Sequence, residues 1–226
     1  MKTLGIISGM GAFAGLRMAD YLLQKSKDDG AKHDSDFPSF LLYNLPVVGM
    51  DEKGIIDHSH VKRQLVETLI KLGKWNCHYA VIACNSAYAF KDLASYFPGT
   101  LLNIIDEACD AVPKGVQRVG IISSASTRKS CLYQDALGDR GINYVLTNDE
   151  EQFFLDLAIK AVISGTQTKG DFHVVRNVLI NLKQRGARMV IVGCTELPLV
   201  INSKHTKIPL IDAGQAVMNK ALKLLR

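Results

Sequence analysis

The sequence predicts an α/β fold: two similar lobes, each a parallel sheet flanked by helices, related by a pseudo-twofold duplication. Two observations carry this. Short apolar runs rich in Val and Ile alternate with amphipathic stretches of helical length, and strands covered on both faces are expected to be apolar throughout. The second observation is internal repetition. Gly5-Ile6-Ile7-Ser8 recurs as Gly120-Ile121-Ile122-Ser123, and Ala80-Val81-Ile82-Ala83-Cys84 is echoed by Val190-Ile191-Val192-Gly193-Cys194. The offsets, from 5 to 120 and from 84 to 194, are 115 and 110 residues. Two landmarks repeating in order at nearly one spacing point to a duplicated lobe.

The elements follow in order. Leu4 to Ile7 reads as the first strand and runs into the glycine-rich turn Gly9-Met10-Gly11. Further strands are expected at Phe40 to Tyr43, Ala80 to Ala83, Leu101 to Ile104, Val119 to Ile122, Tyr144 to Leu146, Met189 to Val192 and Pro209 to Ile211. Between them, helical spacing links Val61, Leu65, Leu69 and Leu72, then Phe172, Val175, Leu179 and Leu182, and finally Ala213, Val217, Ala221 and Leu224. The repeat lengths place residues 1–105 with 207–226 in a first lobe carrying Cys84, and residues 106–206 in a second carrying Cys194. The last strand and helix are thereby expected to return to the first lobe.

Composition narrows the function classes. The chain has 226 residues, 47% hydrophobic and 22% charged, with a net charge of +5. Its basic residues are scattered rather than clustered and aromatics are only 7%, which argues against nucleic-acid partners. No apolar run reaches the roughly 18 residues that cross a bilayer, and the N-terminus lacks the pattern of a signal peptide. A cytoplasmic protein without membrane contact is expected, with a homodimer as its assembly. Asp57-His58-Ser59-His60 lacks further ligands and helical spacing, so no metal site is expected. Gly9-x-Gly11 is followed by Gly15, one residue late for a dinucleotide loop, and Asn44 stands where an acidic residue would be needed.

Five cysteines at wide spacings, with no Cys-x-x-Cys pair, argue for free thiols. Cys84 and Cys194 stand directly after equivalent strands. In α/β proteins ligands bind beyond the carboxyl ends of the strands, so the two lobes would present one thiol from each side of a cleft. N–H groups at the start of a following helix are expected to draw each thiol's pKa toward neutrality. Two such groups suit stereoinversion, one removing a proton and the other returning one to the opposite face. Reacting distances of roughly 3–3.5 Å on each side would set the sulfurs about 6–8 Å apart around one carbon. Cys77, Cys109 and Cys131 are read as structural.

Ala83-Cys84-Asn85-Ser86-Ala87 and Gly193-Cys194-Thr195-Glu196-Leu197 resemble the paired signatures of the aspartate/glutamate racemases. The second is more like the aspartate branch, since glutamate racemases carry His at the position of Glu196. Gly9-Met10-Gly11, Asn44-Leu45-Pro46 and the set Thr127, Ser130 and Tyr133 are similar to further family segments. The resemblance implies catalysis by Cys84 and Cys194 with no cofactor, pyridoxal phosphate included, on a small amino acid. It implies substrate contacts from Met10, Asn85, Ser86, Thr127 and Thr195, with Lys169 corresponding to a lysine that binds the side chain of an acidic amino acid. Two departures stand out. Tyr88 replaces a family His, and the stretch from Val47 to Lys53 lacks a family arginine, leaving Lys53 as its only candidate substitute. An acidic amino acid, aspartate or glutamate, is the expected substrate. A related two-cysteine isomerase, decarboxylase or hydantoin racemase, or an inactive binding protein of the same fold, is the alternative.

Overall fold

The computed structural model describes residues 2–51 and 54–226. The chain runs β1 (Thr3–Ser8), α1 (Ala12–Asp28), β2 (Ser39–Asn44), a hairpin of β3 (Met50–Asp51) and β4 (Gly54–Ile55), α2 (His58–Lys74), β5 (Tyr79–Ile82), β6 (Thr100–Leu101) and α3 (Ile104–Asp110). The second half continues with β7 (Arg118–Ser123), α4 (Ala125–Lys129), α5 (Leu132–Asp139), β8 (Asn143–Val145), α6 (Asp149–Ser164), α7 (Lys169–Gln184), β9 (Met189–Gly193), β10 (Leu210–Asp212) and α8 (Ala213–Leu225). Among the described residues no helix is long and apolar enough to cross a membrane.

Two separate four-stranded parallel sheets result, in the orders β2-β1-β5-β6 and β10-β9-β7-β8. Reversing the second order shows the duplication strand by strand: β2 matches β8, β1 matches β7, β5 matches β9 and β6 matches β10. The repeated glycines have equivalent surroundings. A Cβ on Gly5 would meet Leu72 of α2 at 2.6 Å, and one on Gly120 would meet Leu182 of α7 at 3.3 Å. Both helices lie close on the central strand because that strand has no side chain there.

The tail departs from expectation. β10 does not return to the first lobe: it pairs in parallel with β9, Leu210 opposite Val190 through Asp212 opposite Val192. The repeat itself explains this, since β9 needs a neighbour on its outer side as β5 has β6. Only α8 crosses back, packing on α1 and β1. α3 makes the opposite crossing, from the end of β6 to α5 and β9. The expected strand over Leu101 to Ile104 is correspondingly short, because Asn103 caps α3 by accepting the N–H of Ile105 at 3.0 Å, so Ile104 is already helical.

The exchanged helices α3 and α8 pack on each other, and one buried apolar cluster runs from Leu4 and Ile82 through Ile104 and Ala108 to Tyr133, Ile191 and Val217. Arg17 of α1 reinforces the junction with two hydrogen bonds to Asp212, at 2.7 and 3.1 Å. Asp212 also caps α8 through the N–H of Gln215.

Gly193, at the end of β9, is packed against the ring of Tyr133; an added Cβ would lie 2.3 Å from Tyr133 Cε2. Gly193→Ala is expected to cost about 1–3 kcal/mol of stability, the usual range for overpacking a filled core. Thermal unfolding followed by circular dichroism should register this as a clear fall in Tm, and an unchanged Tm would show that Tyr133 can move aside.

Candidate active site

Both sheets end at one cavity of about 240 Å³. This is small against the roughly 300–1,000 Å³ of drug-sized sites and suits a single small ligand. Cys84 enters from beyond β5 and Cys194 from beyond β9; both are buried, and both line this cavity. Met10, Asn85, Ser86, Thr127 and Thr195 line it as well. Seven of the eight residues singled out from sequence therefore converge.

Lys169 does not. It is the first residue of α7, exposed, and it is absent from the cavity wall. Thr168 caps α7 at this point. Tyr88 is not a substrate anchor either. Its buried hydroxyl donates to the Leu102 carbonyl at 2.7 Å and accepts the Ile82 N–H at 3.1 Å, which ties the turn after Cys84 to β5 and the end of β6. Lys53 lies outside the described residues. The Asp57–His60 segment starts α2, with Asp57 as its cap, and among the described residues no three His, Cys, Asp or Glu side chains cluster to hold a metal.

The backbone after each cysteine follows one plan. Short 3-10 turns, Ser86–Ala89 and Leu197–Leu199, replace the expected α-helices. The N–H groups two and three residues on, from Ser86 and Ala87 or from Glu196 and Leu197, point at the sulfur and favour its thiolate. Burial outweighs them. It pushes the Cys84 thiol up to about 11 and the Cys194 thiol well above its ordinary value, with the Glu196 carboxylate raising both further. Burial thus favours the thiol form of both cysteines, contrary to the expectation from helix termini. A single turn has too short a dipole to offset full desolvation.

The residue after each cysteine is tied to the opposite lobe. Tyr133 donates its hydroxyl to Asn85 Oδ1 at 2.6 Å, while the Thr195 hydroxyl lies 3.3 Å from the Ala83 carbonyl. Ser86 and Thr127 meet hydroxyl to hydroxyl at 3.2 Å, with Ser124 holding Thr127 through α4's cap. Because Tyr133 occupies Oδ1, the orientation of the Asn85 amide is fixed. Its Nδ2 is buried without a hydrogen-bond partner. An orphaned buried donor is costly, and Asn85 is one of the residues that line the cavity.

Glu196 is the site residue to which the sequence reading gave no role. The Cys194 thiol donates to Glu196 Oε2 at 3.2 Å, and the Thr195 hydroxyl donates to the same oxygen at 3.1 Å. Burial pushes the Glu196 carboxyl above the usual carboxylate range, against these hydrogen bonds and the charge of Arg17. The glycine-rich opening loop was the available signal. Gly11 has φ +91°, and a Cβ there would sit 1.7 Å from Glu196 Oε1. Gly11 thus lies against a carboxylate of the protein itself, while Gly9 is packed against the Leu45 backbone, where a Cβ would stand 1.8 Å from its carbonyl oxygen. Val47 and Met50 from one lobe and Ile159 and Ile163 from the other add an apolar part to the wall, beside Asp51 and Ser124. The hairpin of β3 and β4 reaches across to α4, where Gly54 lies so close that a Cβ would stand 2.4 Å from Ser126 Cβ.

The model of the Asp/Glu/hydantoin racemase family matches residues 7–221. The chain belongs to that family. Its members are isomerases, and the chain is an enzyme of that class. It is 24% identical over 213 residues to the broad specificity amino-acid racemase RacX of Bacillus subtilis (strain 168), covering 93% of this chain and 92% of that one. Among solved structures, an aspartate racemase from Picrophilus torridus is 25% identical with a TM-score of 0.81, over 99% of this chain and 95% of its own. An aspartate racemase homologue from Pyrococcus horikoshii OT3 has the same fold, with a TM-score of 0.83 at 24% identity over 100% and 99% of the two chains.

The coupling between Glu196 and the thiols is open to direct measurement. Glu196→Gln removes the charge and the carboxylate hydrogen bond that raise Cys194, and the charge that raises Cys84, so both thiols should titrate at lower pH. Thiolate absorbance or the pH dependence of alkylation, read in Cys84→Ser and Cys194→Ser backgrounds, should show a downward shift. An unmoved titration would mean that burial alone sets these values.

Proposed function

We propose that the protein inverts the α-carbon of an amino acid, with Cys84 and Cys194 as its acid–base pair. The observation that carries this reading is the pair of buried thiols at equivalent strand ends on one cavity, with the unpartnered Asn85 Nδ2 beside them. The substrate's α-carboxylate is the acceptor that Nδ2 lacks. Accepting this bond offsets the charge that opposes carbanion formation at the adjacent carbon.

The steps run on protein groups alone. Glu196, held above the usual carboxylate range, accepts the Cys194 proton along their hydrogen bond and leaves a thiolate stabilised by the N–H groups of Glu196 and Leu197. The thiolate takes the α-proton, the electron pair remains on the α-carbon next to the hydrogen-bonded carboxylate, and the Cys84 thiol delivers a proton to the opposite face. This leaves Cys194 a thiol, Cys84 a thiolate and Glu196 protonated, and proton exchange with solvent returns a proton to Cys84 and removes one from Glu196. The reverse direction exchanges the roles of the two sulfurs. Each thiol thereby serves as base toward one enantiomer. The expectation of an acidic substrate rested on Lys169, and with that residue in solvent away from the cavity it loses its support.

Chiral chromatography of a panel of L- and D-amino acids tests the reading. Cys84→Ala and Cys194→Ala should each abolish inversion, while Cys77→Ala, outside the cavity, should leave it close to wild type. For the enantiomer deprotonated by Cys194, kcat/KM should rise with pH as the Glu196 carboxyl ionises and fall again near pH 11 as the Cys84 thiol loses the proton it must deliver. Full inversion by Cys194→Ala would rule out the two-thiol reaction.

A further inference from the structure

We propose that the side chain of the substrate is neutral and apolar, held between Val47 and Met50 of one lobe and Ile159 and Ile163 of the other. The inference rests on the racemase reading above and adds the class of substrate to it. Cys84, Asn85 and Thr195 form the polar end of the cavity and fix the α-carbon with its carboxylate. The rest of the wall has to receive whatever else the substrate carries.

That wall is built for hydrocarbon. Ile159 and Ile163 are four residues apart on α6 and share one helical face. Ile159 is 3% exposed and Ile163 48%, so this face runs from the cavity's floor to its mouth. Val47 and Met50 are half-buried on the segment after β2, on the other side of the cavity. Branched side chains on one side and an adaptable thioether on the other fit aliphatic groups of varied length.

Charge points the same way. The ionisable carboxyls among the described lining residues are Asp51 and Glu196, and no Lys, Arg or His is among those residues. Glu196 already raises both thiols. An aspartate or glutamate side chain would bring a further negative charge into the same small space, against Ile159, where desolvation is costly. Asp51 is exposed, with Oδ1 accepting the Gly54 N–H at 3.2 Å.

Steady-state inversion kinetics of the full-length protein with alanine, leucine, methionine, lysine, aspartate and glutamate test the proposal. Leucine and methionine should have kcat/KM at least tenfold above aspartate and glutamate. They should also exceed alanine, since each added methylene in an apolar pocket changes kcat/KM by about 10–200-fold. Ile159→Ala should lower kcat/KM for leucine by tenfold or more and for alanine by less. Because Ile159 is buried and its replacement could unfold the protein, Ile163→Lys at the exposed mouth is the second variant. It should lower kcat/KM for leucine and raise it for glutamate. A wild-type preference for aspartate or glutamate would overturn the proposal, and so would a preference for lysine. If instead no amino acid on the panel exchanges its α-proton in deuterated water, the racemase reading itself has failed, and this inference fails with it.

Discussion

The site depends on one mechanical constraint: two sulfurs on different sheets must keep a fixed relation across a space the size of one small molecule. The exchange of α3 and α8 supplies this. Each leaves the fourth strand of its own sheet and packs on the other lobe, and the two helices pack on each other. Separating the lobes would expose the continuous apolar cluster from Ile82 to Val217. At roughly 25 cal/mol per Å² of apolar surface, such an opening costs far more than any single polar contact at the cleft could return. The cross-lobe hydrogen bonds from Tyr133 to Asn85 and from Thr195 to Ala83 then adjust the geometry within a frame already set by packing.

Burial gives the cavity its electrostatics. Desolvation drives both thiols toward their neutral form. The N–H pair behind each sulfur favours the thiolate without offsetting the desolvation. A proton acceptor within the cavity is therefore required before either sulfur can act as a base at neutral pH, and Glu196 is in hydrogen-bond contact with Cys194. Gly11 shows that this carboxylate has a reserved place, because any side chain at that position would collide with it.

Much of this was legible in the sequence, because the duplication repeats short apolar strands with a cysteine after one of them. Offsets of 115 and 110 residues imply two lobes and pair Cys84 with Cys194 before any coordinates are consulted. The destination of β10 was not legible. A three-residue strand carries no pattern that distinguishes the edges of two sheets, and only the topological equivalence with β6 decides it. Lys169 was misjudged because position along the chain says nothing about which side of a helix's first turn faces a cleft. Tyr88 looked like a substituted ligand and proves to be a brace on β5. Ile159 and Ile163 escaped notice because their spacing is that of any amphipathic helix, and the cavity they border is formed by segments distant in sequence.

The duplication also bears on how two equivalent thiols can take different parts in one reaction. Gene duplication by itself would give equivalent halves, and the backbone retains that equivalence: N–H groups two and three residues after the cysteine point at sulfur in both lobes. An inversion needs the opposite, one sulfur as base while the other holds a proton. The symmetry is broken at the position two residues on, Ser86 in the first lobe and Glu196 in the second. Burial raises the Cys84 thiol to about 11 although the Ser86 hydroxyl favours its thiolate, whereas the Glu196 carboxylate, which raises both thiols, accepts a hydrogen bond from Cys194 alone and offers its proton a destination. In the proposed reaction the two sulfurs are thus related by fold and distinguished by one side chain.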